Sequence, residues 1–198
     1  MSAQTDETVL AAVRRFRGRA GGEWTSDSAE LTTGRLLRML AASKPGGLLL
    51  CADAPESCFW LAAGMDIGSK LICLSGDQAG AALLKSSLAD DIRISVHCQH
   101  LIAFLGDVGQ HRFDLMVFSS LDAGLSEMVP ARLAAGGAVA VCAPGNPDEA
   151  SAAEDILSGQ GRLYLCRGPG GSVVGARIPD DHLRKRRGGR RQRGGARA

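Results

Sequence analysis

From residue 47 onward, short apolar runs alternate with longer segments whose apolar residues recur every three or four positions. The run Gly-Leu-Leu-Leu-Cys-Ala at 47–52 is apolar throughout, as a strand covered on both faces must be. The pattern predicts strands at 47–52, 70–74, 92–97, 113–119 and 137–143, followed in turn by helices at 56–65, 78–88, 99–107, 122–134 and 147–158. Two further apolar runs, 162–167 and 172–178, flank Gly168-Pro-Gly-Gly171, which signals a hairpin. Upstream, residues 7–18 predict an amphipathic helix with Val9, Leu10, Val13 and Phe16 on one face and Arg14, Arg15 and Arg17 off it. Residues 20–31, rich in Gly, Ser and Asp, read as a loop. Thr32 and Thr33 are candidate caps for a helix over 34–43, which Lys44-Pro-Gly-Gly ends.

Five strand–helix repeats closed by a hairpin predict an α/β fold. The expected architecture is a doubly wound, Rossmann-like sheet of seven strands, with a C-terminal antiparallel hairpin and helices on both faces. The expected organisation is an N-terminal helix and loop (1–31), the α/β domain (32–179) and a basic tail (180–198). Sheets of this kind bind ligands beyond the carboxyl ends of their strands. Candidate site segments are therefore Ala52–Ser57, Ser75–Asp77, Cys98–His100, Ser119–Asp122 and Ala143–Asn146.

The chain has 198 residues, 45% hydrophobic and 22% charged, which excludes a wholly disordered chain. Its apolar runs are far shorter than the ~20 residues of a membrane span. Net charge is +2, but residues 184–198 hold Arg184, Lys185, Arg186, Arg187, Arg190, Arg191, Arg193 and Arg197 with no acid. Removing those eight charges leaves the first 183 residues at −6. The tail has nothing apolar to bury, so disorder is expected there, together with salt-dependent attraction to RNA, DNA or anionic lipid. A merely solubilising tail is the plainer alternative. Cys51, Cys73, Cys142 and Cys166 lie in apolar strand-like runs, where cysteine behaves as a small hydrophobe. With no export signal, a reducing cytoplasm is expected.

Several phrases carry a family resemblance. Thr33-Gly-Arg-Leu-Leu-Arg-Met-Leu-Ala-Ala, Phe59-Trp-Leu-Ala-Ala-Gly-Met, Phe113-Asp-Leu-Met-Val-Phe, Leu133-Ala-Ala-Gly-Gly-Ala-Val-Ala-Val and Tyr164–Arg177 occur in order. Together they resemble the class I S-adenosylmethionine (SAM) dependent methyltransferases, and more narrowly the small bacterial O-methyltransferases related to catechol O-methyltransferase. The resemblance implies SAM as cofactor, a small hydroxylated acceptor and pairing through N-terminal helices, hence a homodimer through helix 7–18. It places cofactor contacts at Ala52, Asp53, Ser57, Ser75, Asp77, Gln99 and Ser119. Ser57 matches the family's contact to the cofactor carboxylate, and Gln99 follows strand three, where an adenine edge lies.

The family's other working residues are replaced. Its "E-I-G-x-G-x-G" loop reads Leu49-Leu-Cys-Ala-Asp-Ala-Pro55 here, without glycine, and Pro55 has no N–H to donate. Ser75 stands for the acid that holds the ribose and gives at most one of its two charge-assisted bonds, with Asp77 two residues on. The family's metal acids read Ser119 and Cys142-Ala-Pro, with Asp122 three residues late, so no metal is expected.

Three readings of function stay open: a pseudo-methyltransferase acting as a binding module, an active metal-independent methyltransferase, and unrelated chemistry at Asp53, Glu56 or His100. Asp53 and Glu56 flank Pro55 and could form an acid/base pair, or be solvated acids favouring the next helix's N-terminus. His97-Cys98-Gln99-His100 supplies three zinc-type ligands without a fourth, or simply a strand end entering a helix. Phe59 and Trp60 are expected as core anchors, and Trp24 as a candidate lid.

Overall fold

The computed structural model describes residues 3–22, 28–121, 123–125, 128–142, 147–158, 163–167 and 172–177. The tail, Trp24, Asp122, residues 143–146 and the expected turn at 168–171 lie outside them. Helix α1 spans Ala3–Arg19 and α2 spans Ser28–Ala42. The alternation follows as β1 (Leu48–Ala52), α3 (Pro55–Gly64), β2 (Lys70–Ser75), α4 (Gln78–Ser87), β3 (Ile94–Cys98), α5 (Leu101–Asp107) and β4 (Phe113–Phe118). A 3-10 turn at Ala123–Leu125, α6 (Met128–Arg132), β5 (Leu133–Val141), α7 (Pro147–Ser158), β6 (Leu163–Arg167) and β7 (Val173–Arg177) complete it.

The strands form one mixed sheet in the order β3-β2-β1-β4-β5-β7-β6. β1 to β5 run parallel, and β7 pairs antiparallel with both β5 and β6. β1 shows why its run carries no polar residue. Leu49 and Cys51 face one layer, with α1, α2 and α3, while Leu50 and Ala52 face the other, with α5, α6 and α7. Both layers exclude water, so the strand has no solvent side.

Helix α1 belongs to the first layer. Val9, Val13 and Phe16 are buried there, and the Phe16 ring lies 5.5 Å from that of Phe59. The apolar face of helix 7–18 is thus occupied within the chain. Phe59 and Trp60 are core residues, as their pattern suggests. Trp60 lies against Gly34 so closely that a Cβ added there would meet the indole at 2.2 Å.

Two local readings are corrected. Thr32 and Thr33 do not cap α2; they lie inside it, because the helix begins at Ser28, within the expected loop. The apolar stripe explains this: Leu31 extends the Gly34, Leu37 and Ala41 face one turn back and packs on the same core. Of the helix expected over 122–134, the described residues form a 3-10 turn at Ala123–Leu125, the five-residue α6 and the start of β5. Leu121, Leu125, Val129 and Leu133 do share one buried cluster, so the fourfold spacing is real. Pro130 forbids the continuous helix, since it is tolerated only in a first turn, where α6 places it. β5 begins at Leu133 rather than 137, interrupted by Gly136 at φ 75° before regular pairing with β4 resumes at Ala138.

Candidate functional site at the carboxyl ends of the strands

β1 ends at Ala52, and Asp53 takes a left-handed backbone with φ 53°, the single non-glycine residue to do so among those described. Asp53 N–H continues the ladder to the Leu74 carbonyl at 3.1 Å. The Asp53 side chain then crosses to the loop after β2, where Oδ1 accepts the Gly76 N–H at 3.1 Å. Ala54 precedes α3 without a side-chain cap, and Pro55 opens the helix where no N–H is needed.

The loop after β2 is closed on itself. The Ser75 hydroxyl donates to the Asp77 carbonyl at 3.1 Å, and Asp77 Oδ2 accepts the Gly80 N–H at 2.6 Å as the N-cap of α4. After β3, the Gln99 side-chain amide donates to Asp107 at 2.9 Å, and its backbone N–H reaches the Ser75 carbonyl. The His100 ring covers Gly76: a Cβ there would lie 2.8 Å from its Cε1. His97 turns to Phe104 instead, with ring centroids 6.2 Å apart. Ser57 sits half-buried in the first turn of α3, and Ser119 follows β4 with its N–H 3.4 Å from the Ala52 carbonyl.

The structure thus gathers the loops of Ala52, Asp53, Ser57, Ser75, Asp77, Gln99 and Ser119 around one edge. Asp53, Ser75, Asp77 and the Gln99 amide spend side-chain hydrogen bonds on the chain itself. The two acids read as an acid/base pair are also tied apart: Glu56 accepts Arg17 Nε at 2.7 Å, while Asp53 serves Gly76. Among the described residues no group of three or more His, Cys, Asp or Glu side chains could hold a metal ion, so His97, Cys98 and His100 do not assemble a zinc site.

Beneath the first loop lies a series of thiols. Cys51 and Cys58 both donate to the Ala54 carbonyl, at 3.3 and 3.8 Å. Cys73 is the register partner of Cys51 on β2. Hydrogen bonding to Cys51, then burial, raises the Cys58 thiol well above the usual range, and hydrogen bonding to Cys58, then burial, raises Cys73. Cys51 gains some thiolate stabilisation from Cys58, but burial and neighbouring groups outweigh it and it too is raised. These thiols are inert packing groups rather than nucleophiles. Sequence reasoning held Gly76 and Ala54 within its candidate segments, without the bonds they accept or donate here, and missed Arg17. The close spacing of Cys51, Pro55 and Cys58 was the visible signal for the Ala54 bonds.

No family model matches the chain, and no curated protein matches it in sequence. Solved structures do match. A methyltransferase from Geobacter sulfurreducens is 19% identical with a TM-score of 0.66, over 86% of this chain and 88% of the other. The O-methyltransferase from Bacillus cereus, in complex with S-adenosylhomocysteine (SAH), is 14% identical with a TM-score of 0.67, over 89% and 92%. The O-methyltransferase of tomaymycin synthesis from Streptomyces achromogenes, in complex with SAM, is 16% identical with a TM-score of 0.64, over 86% and 89%. The fold is that of the O-methyltransferases.

Set on that fold, the replaced residues acquire positions. Leu49, where the family resemblance expects an acid, is fully buried in the first core layer. Cys51 and Pro55, in the places of glycines, pack beneath the loop and open α3. The residues present do not fit the acid and glycines that the family resemblance implies for SAM, and the Asp53, Ser75 and Asp77 side chains already bond the chain itself. No helix among the described residues is long and apolar enough to cross a membrane.

Proposed function

We propose that this protein keeps the methyltransferase fold without SAM-dependent catalysis and acts as a binding module. The observation that carries the reading is the closure of its first two loops. The Asp53 carboxylate bonds Gly76, Ser75 bonds Asp77, and Asp77 caps α4. A nucleoside entering at this edge would have to displace bonds already made, without the acid that repays such a displacement elsewhere in the fold. Cys51, Cys58, Cys73, Cys98 and Cys142 are free thiols, in keeping with a reducing cytoplasm as its location.

Thermal unfolding with and without SAM and SAH tests this reading. A ligand at 100 times its Kd adds about 2.7 kcal/mol, a readily measured rise in Tm. The expected result is no shift with millimolar SAM or SAH; a clear shift overturns the proposal. That outcome would favour the second reading, a metal-independent O-methyltransferase acting on a small hydroxylated acceptor. Ser57, Ser75, Gln99 and the backbone of Ala52–Ala54 would then hold SAM, a reading supported by SAM and SAH in two proteins of this fold. Nucleic-acid association through the tail residues Arg184–Arg193 is compatible with either.

A further inference from the structure

β3 is an outer strand of the sheet, paired on one side only, with β2. In that ladder the Leu71 N–H reaches the Arg93 carbonyl and the Gln99 N–H reaches the Ser75 carbonyl. A parallel ladder engages every second residue of a strand, so Arg93, Ser95, His97 and Gln99 turn their main-chain groups to β2. Ile94, Val96 and Cys98 turn theirs away from the sheet. The Ile94 N–H is spent on the Asp91 carbonyl at 3.0 Å. The Ile94 carbonyl, both Val96 groups and the Cys98 N–H stand open; among the described residues nothing bonds them. Natural sheets blunt such an edge with a lysine, a proline, a bulge or a covering segment. β3, Ile94-Ser-Val-His-Cys98, has no lysine or proline and pairs with β2 without a break in register.

We propose that the β3 edge pairs antiparallel with β3 of a second copy of this chain, about a dyad through Val96. Each Val96 N–H then donates to the Val96 carbonyl of the other copy, and each Cys98 N–H to the other copy's Ile94 carbonyl. These four bonds engage every one of the open groups named above. Sliding the pairing two residues toward the amino end sets the Val96 carbonyl against the spent Ile94 N–H. Sliding it two residues the other way sets His97 against His97. With the dyad at Val96, Ser95 lies opposite His97 of the second copy, hydroxyl beside imidazole, and Arg93 opposite Gln99, so no like charges meet. Ile92 precedes the strand and is 91% exposed, and Ile102 follows it and is 50% exposed. The dyad brings Ile92 of one copy level with residues 100–102 of the other, so the apolar groups left at the two ends of the edge come together. An unrelated strand would satisfy the main chain alone; self-pairing also matches the side chains. The contact is small, so the dimer should dissociate on dilution. It uses a different surface from helix 7–18 and stands whether or not SAM binds.

The test uses the full chain, with sedimentation equilibrium across concentration and amide hydrogen exchange read by NMR. The expected result is a reversible monomer–dimer equilibrium. The Val96 and Cys98 amides should exchange fast in dilute protein and become protected as the dimer forms. Those of Ser95 and His97, held by β2, should be protected throughout. Val96→Pro deletes an outward N–H that the ladder with β2 does not use, and should weaken dimerisation about tenfold. A second pair of variants keeps both positions polar and exposed. Ser95→Glu with His97→Glu sets like charges across the dyad, and Ser95→Lys with His97→Glu sets opposite ones; the first should dimerise about tenfold more weakly than the second. A chain that stays monomeric at every concentration overturns the proposal, as does a dimer whose Val96 amide still exchanges fast. Equal dimerisation of the two charge variants, or a dimer unchanged by Val96→Pro, assigns the contact to another surface and overturns it too. Equal protection of the Val96 amide by an added extended peptide of scrambled β3 sequence overturns the choice of a second copy.

Discussion

Asp53 Oδ1 and the Gly76 N–H join the loops after β1 and β2 at 3.1 Å, and the residue that makes the bond is held at φ 53°. Backbone strain and a hydrogen bond therefore meet at one position. A left-handed conformation costs a residue with a Cβ about 1–2 kcal/mol, which aspartate tolerates better than most. The bond returns about 0.5–1.5 kcal/mol. Asp53→Ala keeps the strain and loses the bond, so it should destabilise by about 1–2 kcal/mol in urea unfolding. Asp53→Gly loses the bond but removes the strain, and should unfold about 1 kcal/mol later than the Ala variant. A Gly variant weaker than the Ala variant would show that the backbone here is not strained.

Gly34 and Trp60 set the distance between α2 and α3. A methyl group at 34 would approach the indole at 2.2–2.5 Å, and the ring, 3% exposed, has no room to swing away. Gly34→Ala should therefore destabilise by about 1–3 kcal/mol despite alanine's better helix propensity of about 1 kcal/mol. Trp60→Leu alone leaves a cavity, yet in combination with Gly34→Ala it should cost less than the sum of the two. Additive losses would place the clash elsewhere.

The fold was legible because its signals are local and repeated. Runs such as Leu48–Ala52 and Phe113–Phe118 are apolar on both faces, and helices such as Gln78–Ser87 follow directly. Misreadings came where one signal hid another: the spacing of Leu125, Val129 and Leu133 spoke for a helix that Pro130 forbids. At the site, the sequence revealed the missing acid at Leu49 and the missing glycines at Cys51, Asp53 and Pro55. It could not reveal that Asp53 reaches Gly76, because that bond joins residues 23 positions apart through a register visible only once β1 and β2 pair. Arg17 and Glu56, 39 positions apart, were hidden for the same reason.

The cysteines divide by environment. Cys51, Cys58, Cys73 and Cys142 are buried with raised thiols, and burial pushes Cys142 up to about 12, while Cys98 is exposed. In native protein at about pH 8, iodoacetamide should label Cys98 and leave those four untouched until denaturant is added, as peptide mass mapping would read. The sign of the linked pH effect follows. Cys142 titrates at 9.0 in the unfolded chain and about 12 in the folded one, so folded protein holds the extra proton between them. Its contribution is full below pH 9.0 and lost as pH rises toward 12. Cys142→Ala should flatten that alkaline limb; an unchanged limb would assign it to other groups.

The acid limb rests on two aspartates around the amino ends of β2 and β3. Asp66 accepts the Ser69 hydroxyl and the N–H groups of Gly46 and Ser69, and the first of these bonds does most to hold its carboxyl below the ordinary 3.8. Asp91 is lowered chiefly by its hydrogen bonds from Arg93, against a smaller opposing effect of burial. Arg93 in turn donates to the carbonyls of Ala62, Met65 and Asp66 at the end of α3, so the pair anchors that helix to β3. Both carboxyls are stronger acids folded than unfolded, so below about pH 4 the unfolded chain binds more protons. Their stabilisation is complete above that value and disappears as pH falls through the depressed folded range. Asp91→Asn and Asp66→Asn should each reduce stability near pH 7 and flatten its decline between about pH 4 and 2, measured as urea midpoints across pH. Because Asp66 is exposed and Asp91 only half-buried, the effect should also shrink in high salt. A decline as steep in the variants as in the wild type would place the acid-sensitive groups elsewhere.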